Sequence, residues 1–292
     1  MTLIDKDVIA KKRSGRQSRN QILKWLFFLC TMFGLAVLIL LIADTLMDGW
    51  DRLNMDFLTN FNSSRAENAG FFGAIIGSLW LMLVTAPVAI ILSVGTALYL
   101  EEYAPKNKIT DFIKINISNL AGVPSVVFGL LGLAMFVRAL ALGNSVLAAG
   151  LTLALMILPV IVVSAQEAIR AVPESVREAS VGMGATKWQT VSRIILPAAI
   201  PGIITGIILA LSRAIGETAP LVVIGVPTTL LVTPTSVLDS FQAMPMQIYS
   251  WVKMPAEEFQ YIAAAGIIVL LVILLLMNSV AIFIRNKFSK RY

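Results

Sequence analysis

The chain has 292 residues, 58% of them hydrophobic and only 14% charged, with a formal charge of +6. Soluble domains average about 45–50% apolar and about 25% charged, so the several long apolar runs exclude a soluble globular class. Histidine is absent and the one cysteine, Cys30, lies in an apolar run. That excludes imidazole chemistry, an intrachain disulfide and a cysteine metal cluster. The basic balance fits a lipid surface rather than nucleic acid, because of where the charges fall.

The first 24 residues are polar and basic. The apolar run after them exceeds the roughly 7–15 residues of a signal-peptide core, and no small-residue cleavage site follows. It is expected to be a retained first span. Six spans are predicted, over about 22–43, 71–100, 112–137, 144–166, 194–224 and 261–284. The second and fifth exceed the roughly 20 residues a bilayer needs, so they tilt or project from it. Both contain proline, Pro87 in one and Pro197, Pro201 and Pro220 in the other, which frees backbone groups and bends a helix.

Counting Lys and Arg sets the orientation. With the N-terminus in the cytoplasm, 18 of the 23 basic residues fall on inside segments and 4 outside (Arg52, Arg65, Arg138 and Lys253), leaving Arg213 within the membrane. The positive-inside rule therefore puts both termini in the cytoplasm. The expected class is an all-α membrane protein with six transmembrane helices. Residues 1–70 form a tail, first span and outside loop, residues 71–284 a core, and 285–292 a C-terminal tail. Two outside loops are long, about 44–70 and 225–260. The second is either an ordered cap over the helix ends or a docking surface.

The loop between spans four and five carries a pattern of its own. Pro173 and Glu174 suit the first turn of a helix. Val176, Ala179 and Met183 share one face, with Arg177 and Glu178 to the other side. Gly182 and Gly184 stop the helix, and Thr186-Lys-Trp-Gln189 has the capping-box pattern that starts another. A short, partly apolar helix over about 173–185 is expected on the inner side, lying on lipid or meeting a protein partner.

Glu178-Ala179-Ser180, Gly184, and Ile194, Leu196 and Pro197 resemble, in spacing, the EAA loop of ABC importer permeases. Ser180 departs from the second alanine usual there. The resemblance implies the ABC importer permease fold, in which this loop is a coupling helix seated on a cytoplasmic ATPase. It implies Glu178, Ala179, Ser180, Gly184, Arg177 and Met183 as coupling residues. Ala121-Gly-Val-Pro-Ser-Val-Val-Phe-Gly-Leu130 and Ser212-Arg-Ala-Ile-Gly-Glu-Thr-Ala-Pro220 are similar to the phosphate-importer branch. With Met244-Pro-Met-Gln-Ile-Tyr-Ser-Trp251, they look more like its PstA-type permease than the PstC-type sister. The partners so implied are a sister permease subunit, a dimer of ATPase subunits, an extracytoplasmic phosphate-binding protein and membrane lipid. The expected place is the bacterial inner membrane.

Physically, a charge at membrane depth costs about 2.5–3.5 kcal/mol on insertion scales, which marks Arg213 and Glu217 as functional candidates. On a continuous helix, Gly202, Gly206, Leu209, Arg213, Gly216, Glu217 and Pro220 form one stripe that should face protein or water. A guanidinium can hold an oxyanion bidentately. Arg213 is expected to pair with Glu217 at rest and meet an anion's oxygens in transit, with Ser212 and Thr218 beside it. The alternative is a fixed ion pair locking two helices. Pro124 and Ser125 break the third span, either exposing N–H groups to an anion or kinking the helix for packing.

The chain has no phosphate loop of the G-x-x-x-x-G-K-[ST] type, so it is not expected to be an enzyme or to bind a cofactor. The resemblance implies that a partner subunit hydrolyses ATP. The readings left beside phosphate import are another oxyanion (sulfate or molybdate), a secondary transporter, for which no inverted repeat is visible, and a sensory subunit, for which no signalling domain is visible.

Overall fold

A computed structural model describes residues 6–288, with side chains for 19–287. Residues 1–5 and the end of the expected C-terminal tail, with Lys290 and Arg291, lie outside the described residues. The described chain is helical, with one isolated antiparallel bridge between Ser145 and Ser240.

α1 (Lys6–Gly49) runs straight from the basic N-terminal segment through the first apolar run. It packs along α12 (Glu258–Phe288), its side chains from Arg19 onward otherwise exposed. The two cross closely at Gly49, where a Cβ would lie 2.6 Å from the Ala265 nitrogen. The short α2 (Met55–Thr59) starts on a capping Asn54, whose Oδ1 accepts from the Phe57 N–H at 2.7 Å.

α3 (Phe72–Leu98) continues as a widened turn through Tyr103. α4 (Lys108–Leu120) begins on Asn107, which caps Thr110. α5 (Ser125–Gly132) continues to Ala139 but leaves α4 at 103°. The third expected span is therefore a broken one. Pro124 cannot donate a backbone N–H, and its ring disfavours helix at Val123.

α6 (Val146–Arg170) is the central helix, with Leu153, Ile157 and Ile161 fully buried. Thr85 Oγ1 donates to the Gly150 carbonyl at 3.2 Å, and Ser93 Oγ to that of Leu158 at 3.2 Å. The equal offsets show that α3 and α6 run parallel. α7 (Glu174–Gly182) and α8 (Lys187–Thr190) follow, and a continuous stretch leads into α9 (Leu196–Gly216). α6 and α9 approach closely at their small residues: a Cβ on Gly202 would lie 2.7 Å from that of Ala168, and one on Gly206 would overlap Ser164. α9 meets α12 through two polar pairs one heptad apart, Ser212 Oγ to Asn278 Oδ1 at 2.6 Å and Arg285 Nη1 to Thr205 Oγ1 at 3.4 Å.

The expected fifth span, 194–224, is not one helix. α9 ends at Gly216, Glu217 is extended (ψ 125°), and α10 (Ala219–Ile224) restarts the helix. The cause is Pro220: its missing N–H and its ring both act on the carbonyl four residues back, at Gly216. Gly225, at φ +82°, then closes α10 in the left-handed conformation.

The 225–260 loop is an ordered cap. α11 (Met244–Val252) buries Met244, Met246, Ile248 and Trp251, and Trp251 packs against Phe57 and Phe71. Trp251 Nε1 donates to Asn62 Oδ1 at 3.1 Å, joining the 44–70 and 225–260 loops. Gly77 lies so close to the Gln242 carbonyl that a Cβ there would collide with it. Its small size therefore admits the 241–243 backbone rather than another span. The Thr235 N–H, the Thr235 hydroxyl and the Ser236 N–H donate to Asp239, holding its carboxyl below the ordinary carboxylate range.

Candidate functional site

Two regions at opposite ends of α9 collect the residues singled out by sequence.

At the C-terminal end, Arg213 Nε lies 3.2 Å from Glu217 Oε1, with 51% of the arginine side chain accessible and 18% of the glutamate's. Arg213 occupies the last turn of α9, where the negative end of the helix favours a cation. Glu217 reaches it although it has left the helix. The predicted stripe therefore divides. Gly202 and Gly206 approach α6, Pro220 belongs to α10, and Leu209, Arg213 and Gly216 are exposed.

The two helix breaks are brought together. A Cβ on Gly129 of α5 would lie 2.9 Å from Pro220 Cα and 3.0 Å from Val223 Cβ of α10. The motif around 121–130 thus packs against the end of the 212–220 motif through one glycine. Pro124 caps α5 and is exposed, Ser125 is its half-buried first residue, and Thr218 precedes α10. Ser212 also meets α12. Its hydroxyl is engaged with Asn278 and, at 2.7 Å, the Ile208 carbonyl, so it serves the contact between α9 and α12.

At the other end, α7 starts after Pro173 and stops at glycines. Gly184 adopts φ +84°, which only glycine takes readily. Thr186 and Gln189 form the full reciprocal capping box. Glu178, Ala179, Met183 and Gly184 are exposed, as are Val181 and Trp188, which sequence did not single out. Two of the expected coupling residues face inward instead. Ser180 is buried, its hydroxyl 2.8 Å from that of Thr190, so the residue replacing a second alanine ties α7 to α8. Arg177 turns to Glu102, 3.2 Å away, and donates to the Ile169 carbonyl at 2.8 Å.

Glu101 and Glu102, at the end of α3, were not picked out from sequence. Their signal was two adjacent acids at the end of the bundle where the cations Lys114, Arg170 and Arg177 gather. An open apolar groove of about 710 Å³ adjoins α7, lined by Ala168, Val172, Pro173, Val176, Ile194 and Ala198 among others. From Ile194 and Ala198 an accessible stripe runs along α9 through Gly202 and Leu209 to Arg213 and Gly216.

Residues 89–291 match the family described as binding-protein-dependent transport system inner membrane component. A probable ABC transporter permease protein, YqgI of Bacillus subtilis strain 168, is 35% identical over 83% of this chain and 81% of its own. The phosphate transport system permease protein PstA 1 of Mycobacterium tuberculosis H37Rv is 31% identical over 94% of this chain and 90% of its own. PstA of Yersinia pestis is 30% identical over 95% and 94%. Among solved structures, a bacterial alginate ABC transporter in complex with a pentasaccharide-bound periplasmic protein superposes with a TM-score of 0.66. It covers 94% of this chain and 96% of that one at 17% identity, a likeness of fold.

Proposed function

Because this chain belongs to the family of binding-protein-dependent transport system inner membrane components, we propose that it is the permease subunit of an ATP-driven importer of inorganic phosphate. It forms the translocation pathway together with a sister permease. The observation that carries this reading is the Arg213–Glu217 pair, held at a helix break on a face its own chain leaves uncovered. A lipid-facing pair there would leave a guanidinium in hydrocarbon. A sister subunit laid along the accessible stripe of α9 would enclose it between two proteins. The relatives named for phosphate transport cover nine-tenths or more of the chain, and this favours phosphate over other oxyanions.

In this reading the end of the bundle bearing α7 faces the cytoplasm, as the positive-inside count requires. ATP is hydrolysed by two partner subunits, one of which receives α7. A phosphate-binding protein delivers the anion to the opposite end. Residues 71–284 act as the permease core, with 1–70 and 285–292 as additions to it. The guanidinium holds phosphate oxygens in passing, while Glu217 competes for the same donors and keeps the affinity low enough for release. The decisive experiment is uptake of labelled phosphate, with sulfate and molybdate as competitors, into vesicles holding the purified complex, with and without ATP. Uptake without ATP, or driven only by an ion gradient, would replace this reading with a secondary transporter.

The exposed apolar side chains at the end of α7 provide a second check. Met183→Asp together with Val181→Asp is expected to reduce co-purification of the ATPase subunit at least about fivefold, since truncating an interface anchor costs more than about 1 kcal/mol. Undiminished recovery of the ATPase would assign those side chains to the lipid surface.

A further inference from the structure

α7 packs on α8 and on the turn that follows it, but its tie to the other spans is made of charge. Glu101 and Glu102 sit in the widened turn Tyr99–Tyr103, where Ala104 N bonds the Tyr99 carbonyl at 2.8 Å. Adjacent residues in a helix point roughly a quarter-turn apart, so the two carboxylates serve different neighbours. Glu101 takes a fork from Arg170 at the end of α6, Nε to Oε2 at 2.9 Å and Nη2 to Oε1 at 2.7 Å. It also takes Lys114 of α4 at 2.9 Å. Glu102 faces Arg177 of α7 at 3.2 Å. Only 9% of either glutamate side chain is accessible.

The two halves of this joint differ in kind. The Glu101 half is a bidentate fork, whose planar geometry fixes direction as well as distance. In the Glu102 half the charges meet, yet Glu102 Oε1 and Arg177 Nε each lack an aligned hydrogen bond. Coulomb attraction between buried charges tolerates rotation, so this half holds α7 at a distance while letting it turn. Arg177 is itself steadied from below by the Ile169 carbonyl and by Glu174 at 3.7 Å.

Resting on the transporter reading above, we infer that Glu102 and Arg177 are positioning residues of energy coupling. They deliver displacement of α7 to the end of α3, and Glu101 with Lys114 and Arg170 passes it to α4 and α6. Neither residue touches substrate or nucleotide.

The test is a double-mutant cycle in the complete transporter in lipid nanodiscs and vesicles, reading phosphate imported per ATP hydrolysed. Glu102→Gln and Arg177→Gln are each expected to lower that ratio at least about fivefold, the lower range of coupling between sites. The double variant is expected to fall no further, because the pair acts as one unit. A merely structural role lowers uptake and hydrolysis in proportion and leaves the ratio at the wild-type value, which overturns the inference. Losses that multiply to about 25-fold in the double variant overturn it too. Amide exchange over residues 175–182 supplies a readout independent of transport. It is expected to rise in both single variants, and no rise refutes the joint even if the cargo is not phosphate. Failure of the transporter reading shows separately, as a wild-type complex without ATP-driven uptake.

Discussion

Arg213→Gln is expected to yield a chain that inserts and assembles at the wild-type level and imports phosphate at about one-tenth of the wild-type rate or less. A hydrogen bond to a charged partner contributes about 1.5–3 kcal/mol, and its loss from the transit state corresponds to roughly 10- to 150-fold in rate. Little stability should go with it. Half of the arginine side chain is accessible in this chain, and in the proposed pathway water reaches it, so the pair is nearer the exposed kind that contributes about 0–1 kcal/mol. Arg213→Lys keeps the charge but lacks the planar fork, so its rate should fall between the two. Glu217→Gln removes the competitor for the guanidinium. It should lower the half-saturating phosphate concentration and slow turnover, because the anion leaves later. Uptake and thermal midpoint measured on the same preparations separate this from a fixed helix lock. A lock would lose assembly or midpoint in both variants while the surviving complexes transported normally.

Gly129→Val should separate the two helix breaks. The added Cβ meets Pro220 Cα at 2.9 Å and the Pro220 carbonyl oxygen at 3.2 Å. These are backbone atoms that cannot swing aside, and overpacking of this kind costs about 1–3 kcal/mol. A lower thermal midpoint and at least about a fivefold loss of uptake among folded complexes are expected together, since α10 carries the chain away from Glu217. Gly95→Ala in α3 is the control. Nothing lies within 4 Å of its Cβ position, and alanine improves helix propensity by about 0.8–1 kcal/mol. Equal midpoints for the two variants would show that α5 and α10 do not depend on close contact.

Local chemistry explains how much could be read without coordinates. The stop at Gly184, the capping box at Thr186 and Gln189, and the four-residue offset of Arg213 and Glu217 involve neighbours a few positions apart. Helix geometry alone relates such residues. The apolar runs were legible for a similar reason: a bilayer imposes a length on each of them. Proline signalled both breaks, yet the fifth span was drawn through Pro220, because the hydrophobic pattern continues across it.

Contacts between distant residues were not legible. Ser180 resembled a harmless stand-in for alanine until Thr190 appeared against it. Ser212 was singled out for its place beside Arg213, and nothing local signalled its contact with Asn278. Arg177 was placed on the face opposite the apolar one and, by resemblance, among the coupling residues, and only the folded chain brings Glu102 to that side.

The amino-acid sequence alone determined the number and length of the apolar runs, the basic end of the bundle, and the short helix that starts at Pro173 and stops at glycines. Each follows from a period, a length or a charge count along one dimension. Tertiary structure alone decided that the third span turns by 103°, that α5 meets α10 at Gly129, and that two neighbouring glutamates bind α4, α6 and α7. Those pairings join residues on different helices, most of them tens of positions apart. They are selected by which surfaces can be packed and which buried charges matched once the helices are side by side.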